Sequence, residues 1–183
     1  MNTLDEVVLH VHGPVTAAAQ LETVKELYAE AFFPPPHNQG PVQLDRMAQS
    51  WPKRLQRAGF RLVVAEHRGT PIGCIYGHQV SATWWDGALE AIPDEITTEF
   101  EGRTLGVIDM MVRAEWRRCG VASALHSHLL VDRTEERATL LVDPINEPAL
   151  AAYAKWGYDR VGRIQPFPDM PKFHALVKPL PRP

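Results

Sequence analysis

The segment with the clearest capacity for chemistry is a basic turn between an apolar strand and an alanine-rich helix. It contains Arg117, Arg118, Cys119, Gly120, Val121 and Ala122. Backbone amides at a helix start lack intrahelical acceptors and carry the positive end of the helix dipole, so those of residues 118–122 can converge on an anion. Gly120 permits close approach, and the small Ala122 leaves room beside it. The turn therefore predicts a phosphate-binding loop, with a plain strand-turn-helix connection as an equal alternative.

A second pair of polar residues, Asn146 and Tyr153, lies on a predicted helix further along the chain. Because seven positions span about two helical turns, both side chains project to one side and can serve one groove. Gly157 supplies the backbone freedom that ends this helix. The pair predicts a binding or catalytic role, and the alternatives are a helix cap for the asparagine and packing for the tyrosine.

Asp109 interrupts the apolar strand from Val107 to Val112. A buried carboxylate is costly unless it is paired, so its presence suggests a role beyond packing, such as that of a general base. The alternative is an ion pair with an arginine. Cys119 is not expected to act as a nucleophile, because no nearby order of histidine and aspartate supports a triad.

Strands and helices must position these residues, and hydrophobic periodicity predicts such a framework. The expected strands are 7–11, 61–66, 72–80, 105–112, 139–142, 160–164 and 173–177, and the expected helices are one from a cap at Thr16 to about Phe33, then 42–58, 121–132 and 148–156. Residues 81–103 are polar and acidic and predict an insertion or loop. The pattern indicates an α/β or α+β fold with helices packed on a sheet.

Composition limits the class of protein. A chain of 183 residues with 45% hydrophobic content suits a single domain over residues 1–183. Its net charge of -3 gives no general attraction for nucleic acid or an anionic membrane. The two cysteines form no disulfide framework or metal-ligand spacing. The first residues show no basic segment before an apolar stretch, and no apolar run is long enough to span a bilayer, so export is not expected. We therefore expect a cytoplasmic protein without a metal, and without nucleic-acid or membrane partners.

The stretch from residue 106 to 158 resembles the GNAT superfamily of acetyltransferases. The family's R/Q-x-x-G-x-G/A signature matches Arg117, Gly120 and Ala122, and its N-x-x-A-x-x-x-Y pattern matches Asn146, Ala149 and Tyr153. Ala114 stands where the family frequently has a proline. The order of strands and helices is similar over most of the chain, except in residues 81–103.

The resemblance implies a single-domain GNAT-like fold, with a mixed sheet of about six or seven strands splayed at the cofactor site. It also implies acetyl-CoA as cosubstrate, with the pantetheine arm paired to backbone near Met111 and Val112. The other implied cofactor-binding residues are Arg117, Arg118, Cys119, Gly120, Val121, Ala122, Ser123 and Asn146. Tyr153 would protonate the leaving thiolate, and no covalent enzyme intermediate would form.

The expected reaction is direct attack of a primary amine on acetyl-CoA, with Asp109 as candidate base. The acidic segment 86–101 favours a small cationic acceptor, such as a metabolite or antibiotic, unless it is only a solvated surface loop. The alternatives are a protein or peptide N-acetyltransferase and a non-catalytic acyl-CoA-binding module. The terminal strands 160–164 and 173–177 could pair across a homodimer if one has an open edge.

Overall fold

The computed structural model describes Leu4 and residues 6–181. Its strands are β1 (Val7–His12), β2 (Arg61–His67), β3 (Thr70–Gln79), β4 (Thr104–Val112), β5 (Arg137–Val142), β6 (Asp159–Ile164) and β7 (Phe173–Pro179). Its α-helices are α1 (Pro14–Ala17), α2 (Leu21–Phe32), α3 (Pro41–Leu55), α4 (Asp94–Thr97), α5 (Val121–Leu130) and α6 (Glu147–Lys155), and 3₁₀ turns cover Ala18–Gln20, Ala82–Trp85 and Ala114–Trp116. Within these described residues, no helix combines the length and apolar character needed to cross a membrane.

The strands form one seven-stranded sheet in the order β1-β2-β3-β4-β5-β7-β6. The pairs β1 with β2, β2 with β3, β5 with β7 and β6 with β7 are antiparallel, whereas β4 and β5 are parallel from Thr104 and Arg137 to Val107 and Leu140. The sheet is therefore mixed and accompanied by helices. This confirms the predicted fold class and strand number.

The chain forms two compact units. The first unit comprises Met1–His78 and Ile108–Val131, and the second comprises Gln79–Val107 and Asp132–Pro183. The single domain expected over residues 1–183 stays a prediction.

The core of the first unit lies between helices α2 and α3 and strands β2 to β4. Its buried residues include Val24, Leu27, Met47, Trp51, Leu62, Val64, Cys74, Tyr76 and Met111. The β2–β3 hairpin turns at Arg68 and Gly69, with φ of 50° and 78° as a two-residue type I′ turn requires. Helix α3 begins after Gly40, whose amide donates to Gln43 Oε1 at 3.0 Å. The buried Met47 and Trp51 pack α3 against this core.

The predicted helix from a cap at Thr16 to Phe33 is wrong in its first part. Thr16 lies inside α1, and the N-cap is Gly13, because Pro14 occupies the first helical position with a φ already suited to a helix. The hydroxyl of Thr16 donates back to Gly13 O at 3.4 Å. A 3₁₀ turn then separates α1 from α2, so the segment contains two helices.

Residues 81–103 of the second unit are ordered by packing and by a buried ion pair. Trp85 is buried against a cluster that includes Ile164, with Ile92 and Ile96 alongside. Glu99 Oε1 lies 2.8 Å from Arg137 Nη2, and these side chains are only 2% and 8% exposed. Trp85 Nε1 also donates to Glu99, at 2.9 Å. The segment is therefore anchored to this unit through Trp85 and Glu99, while most of its other residues are exposed or half-buried.

Candidate active site

Asp109 lies on β4 beside Tyr76 of β3. The Tyr76 hydroxyl donates a hydrogen bond to Asp109 Oδ2. Burial raises the pKa of Asp109, while the Arg54 guanidinium and the Tyr76 hydrogen bond act in the opposite direction. A partly exposed carboxylate with a raised pKa is a better proton acceptor than an ordinary aspartate, once it is ionised. The alternative ion pair of Asp109 with an arginine is not formed within the described part of the chain.

Aromatic side chains pack near this carboxylate within the first unit. Tyr76 is fully buried, and the Trp51 ring meets it edge-on at 5.1 Å between centroids. Tyr28 on α2 is also buried, and both burial and the charge of Asp109 raise its pKa. Tyr76, Tyr28 and Arg54 were not identified from the sequence. No motif marks them, because their nearness to Asp109 depends on strand register and helix packing.

The predicted phosphate-binding loop has the backbone conformation that such a loop needs. Arg118 and Gly120 both have left-handed φ values, 63° and 87°, and Gly120 is the N-cap of α5. The first hydrogen bond of the helix runs from Ala124 N to Gly120 O, at 3.0 Å. The amides of residues 121–123 therefore lie ahead of the helical hydrogen-bond ladder. The loop can offer several N–H donors to one anion.

Gly120 is needed here for its backbone conformation, and the only described neighbour that a side chain would meet is the flexible side chain of Leu4. Its φ of 87° is one that side chains rarely adopt, and a Cβ atom would lie 3.1 Å from Leu4 Cδ1. Arg117 on the same loop turns back toward β4, where its Nε donates to Val112 O at 3.2 Å. The loop is thereby tied to the end of the strand that carries Asp109.

Met111 and Val112 form the end of β4. Met111 is buried, and Arg113 N donates to Ile72 O of β3 at 2.9 Å. Gly73 is required opposite them, since a Cβ there would lie 2.7 Å from Met111 O. The roles of Met111 and Val112 in pairing with pantetheine stay predictions.

Asn146 and Tyr153 occupy α6 of the second unit. Asn146 is the N-cap, and its side chain accepts from Ala149 N at 3.2 Å, so the capping role considered from the sequence is present. Tyr153 is 8% exposed and packs edge-on against Trp156 and Tyr158, at 5.6 and 5.7 Å. These contacts hold the tyrosine ring in one orientation.

Gly157 ends α6 as predicted. With φ of 85° it allows Gly157 N to bond to Ala154 O and Tyr158 N to bond to Tyr153 O. This is the double hydrogen-bond pattern of a Schellman motif. The motif returns the chain toward β6 and brings Tyr158 against the Tyr153 ring.

The predicted site residues thus fall into two groups. The first unit holds Asp109, the end of β4 and the loop of residues 117–123, while the second unit holds Asn146 and Tyr153 on one helix. Among the residues that the structure describes, no group of three or more histidine, cysteine, aspartate or glutamate side chains could hold a metal ion.

The family model for the acetyltransferase (GNAT) family matches residues 21–158, more than half of the chain. The protein therefore belongs to the GNAT acetyltransferase family. No curated protein matches its sequence.

Solved structures show the same fold. The ribosomal-protein-S18-alanine N-acetyltransferase from Escherichia coli has a TM-score of 0.65 at 14% identity, with 97% of this chain and 96% of that chain covered. Ard1 from Thermoplasma volcanium has a TM-score of 0.63 at 16% identity, covering 97% and 99%. The PaiA N-acetyltransferase from Thermoplasma acidophilum, in complex with coenzyme A, has a TM-score of 0.62 at 11% identity, covering 94% and 98%.

Family membership and fold together define the class of enzyme. The protein is an acyl-CoA-dependent N-acetyltransferase, and acetyl-CoA is its cosubstrate. The left-handed loop ahead of α5, with its row of helix-start amides, fits the diphosphate of that cosubstrate.

Proposed function

We propose that this N-acetyltransferase transfers an acetyl group from acetyl-CoA to the primary amine of a small molecule by direct attack. The observation that carries the proposal is Asp109, a partly exposed carboxylate with a raised pKa that accepts a hydrogen bond from Tyr76, beside a group of aromatic rings. A carboxylate beside aromatic rings suits a compact amine, because the rings supply apolar surface and the carboxylate supplies a proton acceptor.

Asp109 acts as the base in this proposal. The amine must lose a proton to attack, and that proton passes to Asp109 as the nitrogen forms its bond to the acetyl carbonyl carbon. A backbone N–H near Val112 stabilises the resulting oxyanion. The carbon–sulfur bond then breaks, and Tyr153 gives its hydroxyl proton to the departing thiolate. The role of Tyr153 rests on its match to the family pattern and on the fixed orientation of its ring.

The loop of residues 117–123 binds the diphosphate of acetyl-CoA. The backbone amides ahead of the α5 ladder supply neutral donors, and Arg117 and Arg118 supply positive charge. Because Gly120 and Arg118 already adopt left-handed conformations, the loop needs no refolding to take the anion.

The acidic segment gives only limited support for an acceptor with additional positive charge. Glu90 lies 2.8 Å from Arg160 and 3.1 Å from Arg163, and Glu99 pairs with Arg137. The acidic residues that remain exposed are Asp86, Asp94, Glu95 and Glu101. Two of the carboxylates that suggested a cationic acceptor are therefore neutralised by arginines of their own unit. We propose a small primary amine without requiring a second positive charge on it.

A protein or peptide acceptor is the competing possibility, and one similar structure is that of a ribosomal-protein-S18-alanine N-acetyltransferase. The test is acetylation of a panel of small primary amines and of a panel of peptides with free amino termini, measured as thiol release from acetyl-CoA and by product mass. The proposal predicts turnover of small amines with kcat/KM at least tenfold above that of any peptide. Preferred turnover of peptides would contradict it. Binding of acetyl-CoA without turnover of any amine would instead favour a non-catalytic module.

A further inference from the structure

Arg54 on α3 is held in a fixed orientation beside the Asp109 site. Its Nε donates to Ser50 Oγ at 2.7 Å, and that hydroxyl donates to Met47 O at 2.7 Å. Its guanidinium carbon lies 5.9 Å from the centroid of the Tyr76 ring, within the range of a cation–π contact. Tyr76 in turn donates to Asp109. One hydrogen-bonded helix turn thus places a guanidinium next to the proposed base.

The terminal nitrogens of Arg54 are not used within the described part of the chain. No described residue accepts a hydrogen bond from its two Nη groups, and none forms an ion pair with it. Two other arginines in the first unit are engaged: Arg113 pairs with Glu30, and Arg61 donates to carbonyls at the end of α5. A pre-oriented guanidinium with free paired donors fits the two oxygens of a carboxylate.

Arg54 also lies close to the proposed base. Its charge opposes the rise in the pKa of Asp109 that burial causes, and its guanidinium contacts the ring of Tyr76, which donates to Asp109. A group bound by Arg54 would therefore lie near the carboxylate that accepts the proton.

From this geometry we infer that Arg54 binds a carboxylate of the acceptor, so that the preferred acceptors are amino acids whose amine is directed at Asp109. The inference rests on the proposed function, because it names the substrate class of the same site. Arg54 is then a specificity-determining residue. It holds the acceptor by its carboxylate while the amine reacts.

The test compares three forms of each acceptor: an α-amino acid, its carboxamide, and the primary amine that lacks the carboxyl group. With acetyl-CoA saturating, the acid is expected to have kcat/KM about tenfold to hundredfold above the carboxamide, the range for charge-assisted hydrogen bonds. Measured at a pH above the acidic limb of every variant, where Asp109 is ionised, Arg54→Gln should raise KM for the acid by a similar factor, with kcat nearly unchanged and a much smaller change for the carboxamide. Arg54→Lys keeps the charge but loses the planar guanidinium, so its KM for the acid should lie between those of the wild type and Arg54→Gln.

Lys53→Gln is the matched control, since it removes an exposed positive charge from the same turn of α3. It should leave the preference for the acid in place. Calorimetric titration with acetyl-CoA checks that each variant is folded and binds its cosubstrate.

Two outcomes would overturn the inference alone: equal turnover of acid, carboxamide and amine, or an equal loss for acid and carboxamide in Arg54→Gln. If no small amine in any form is acetylated while peptides are, the proposed function fails as well. The two failures are therefore distinguishable.

Discussion

At the residue scale, the function depends on how the surroundings of Asp109 set its protonation. Burial raises its pKa, and the Tyr76 hydroxyl and the Arg54 guanidinium limit that rise. Asp109 can accept a proton only when it is ionised, so activity must increase as pH rises through its pKa. The carboxylate was found from the sequence because it interrupts an apolar strand, but its partner Tyr76 was not.

Tyr76→Phe tests this arrangement. Loss of the hydrogen bond should raise the pKa of Asp109 further, so the acidic limb of the kcat/KM profile should move to higher pH. Tyr28→Phe removes a nearby phenol that donates to Gln39 instead, and should leave the limb in place. The measurement is the pH dependence of kcat/KM for each variant. An unmoved limb in Tyr76→Phe would argue against Asp109 as the titrating base.

Tyr153→Phe tests the proposed acid. The ring should keep its packing against Trp156 and Tyr158, so acetyl-CoA binding should be nearly unchanged. Loss of the proton donor should lower kcat by about a hundredfold or more. Steady-state kinetics combined with calorimetric binding check this. Wild-type turnover in the variant would remove the acid role of Tyr153.

At the element scale, the helix ends do much of the positioning. Gly120 is the N-cap of α5, and the first amides of that helix can donate to an anion. Asn146 and Gly157 lie at the start and the end of α6. The sequence predicted these ends because glycine and asparagine have strong positional preferences. The prediction of a helix start at Thr16 was wrong. The helix begins at Pro14 with Gly13 as its N-cap, because proline at the first helical position outweighed the hydroxyl cap.

Asn146 is expected to have a structural and a cofactor-binding role that can be separated. Asn146→Ala should lower the free energy of unfolding by about 1 kcal/mol, because the bond from Ala149 N is lost. Asn146→Asp keeps a capping oxygen and should retain stability, but its negative charge should weaken acetyl-CoA binding. Urea unfolding and calorimetry check the two effects. Equal acetyl-CoA affinity in wild type and Asn146→Asp would restrict Asn146 to capping.

At the scale of the whole molecule, the succession of strands along the chain and the two motifs could be predicted from local sequence patterns. The packing of the second unit could not. Residues 81–103 looked like an acidic insertion because their few apolar residues follow no single period. These residues are held in place by ion pairs with residues that are distant in the sequence, such as Glu99 with Arg137 and Glu90 with Arg163. The pairing of Tyr76 with Asp109 was equally hidden, because this same segment separates their strands along the chain.

Glu99 should therefore matter to stability far more than its place in an acidic segment suggests. Glu99→Gln leaves the charge of Arg137 buried without its partner, and should cost about 3 kcal/mol of unfolding free energy. Glu90→Gln removes two ion pairs, with Arg160 and Arg163, in which all side chains are at least 34% exposed, and should cost below about 1 kcal/mol. Urea unfolding of both variants provides the comparison. Equal small losses would show that the Glu99–Arg137 pair does not hold the segment in place.

The most direct test of the account is calorimetric titration of acetyl-CoA into the wild type, Gly120→Glu and Gly102→Glu. Gly102 also has a left-handed φ, 79°, with open space around it, so its variant carries the same charge and strain outside the loop. Binding in about the micromolar range is expected for the wild type and Gly102→Glu, and at least about tenfold weaker binding for Gly120→Glu. Equal affinity in all three proteins would contradict the assignment of this loop to the diphosphate.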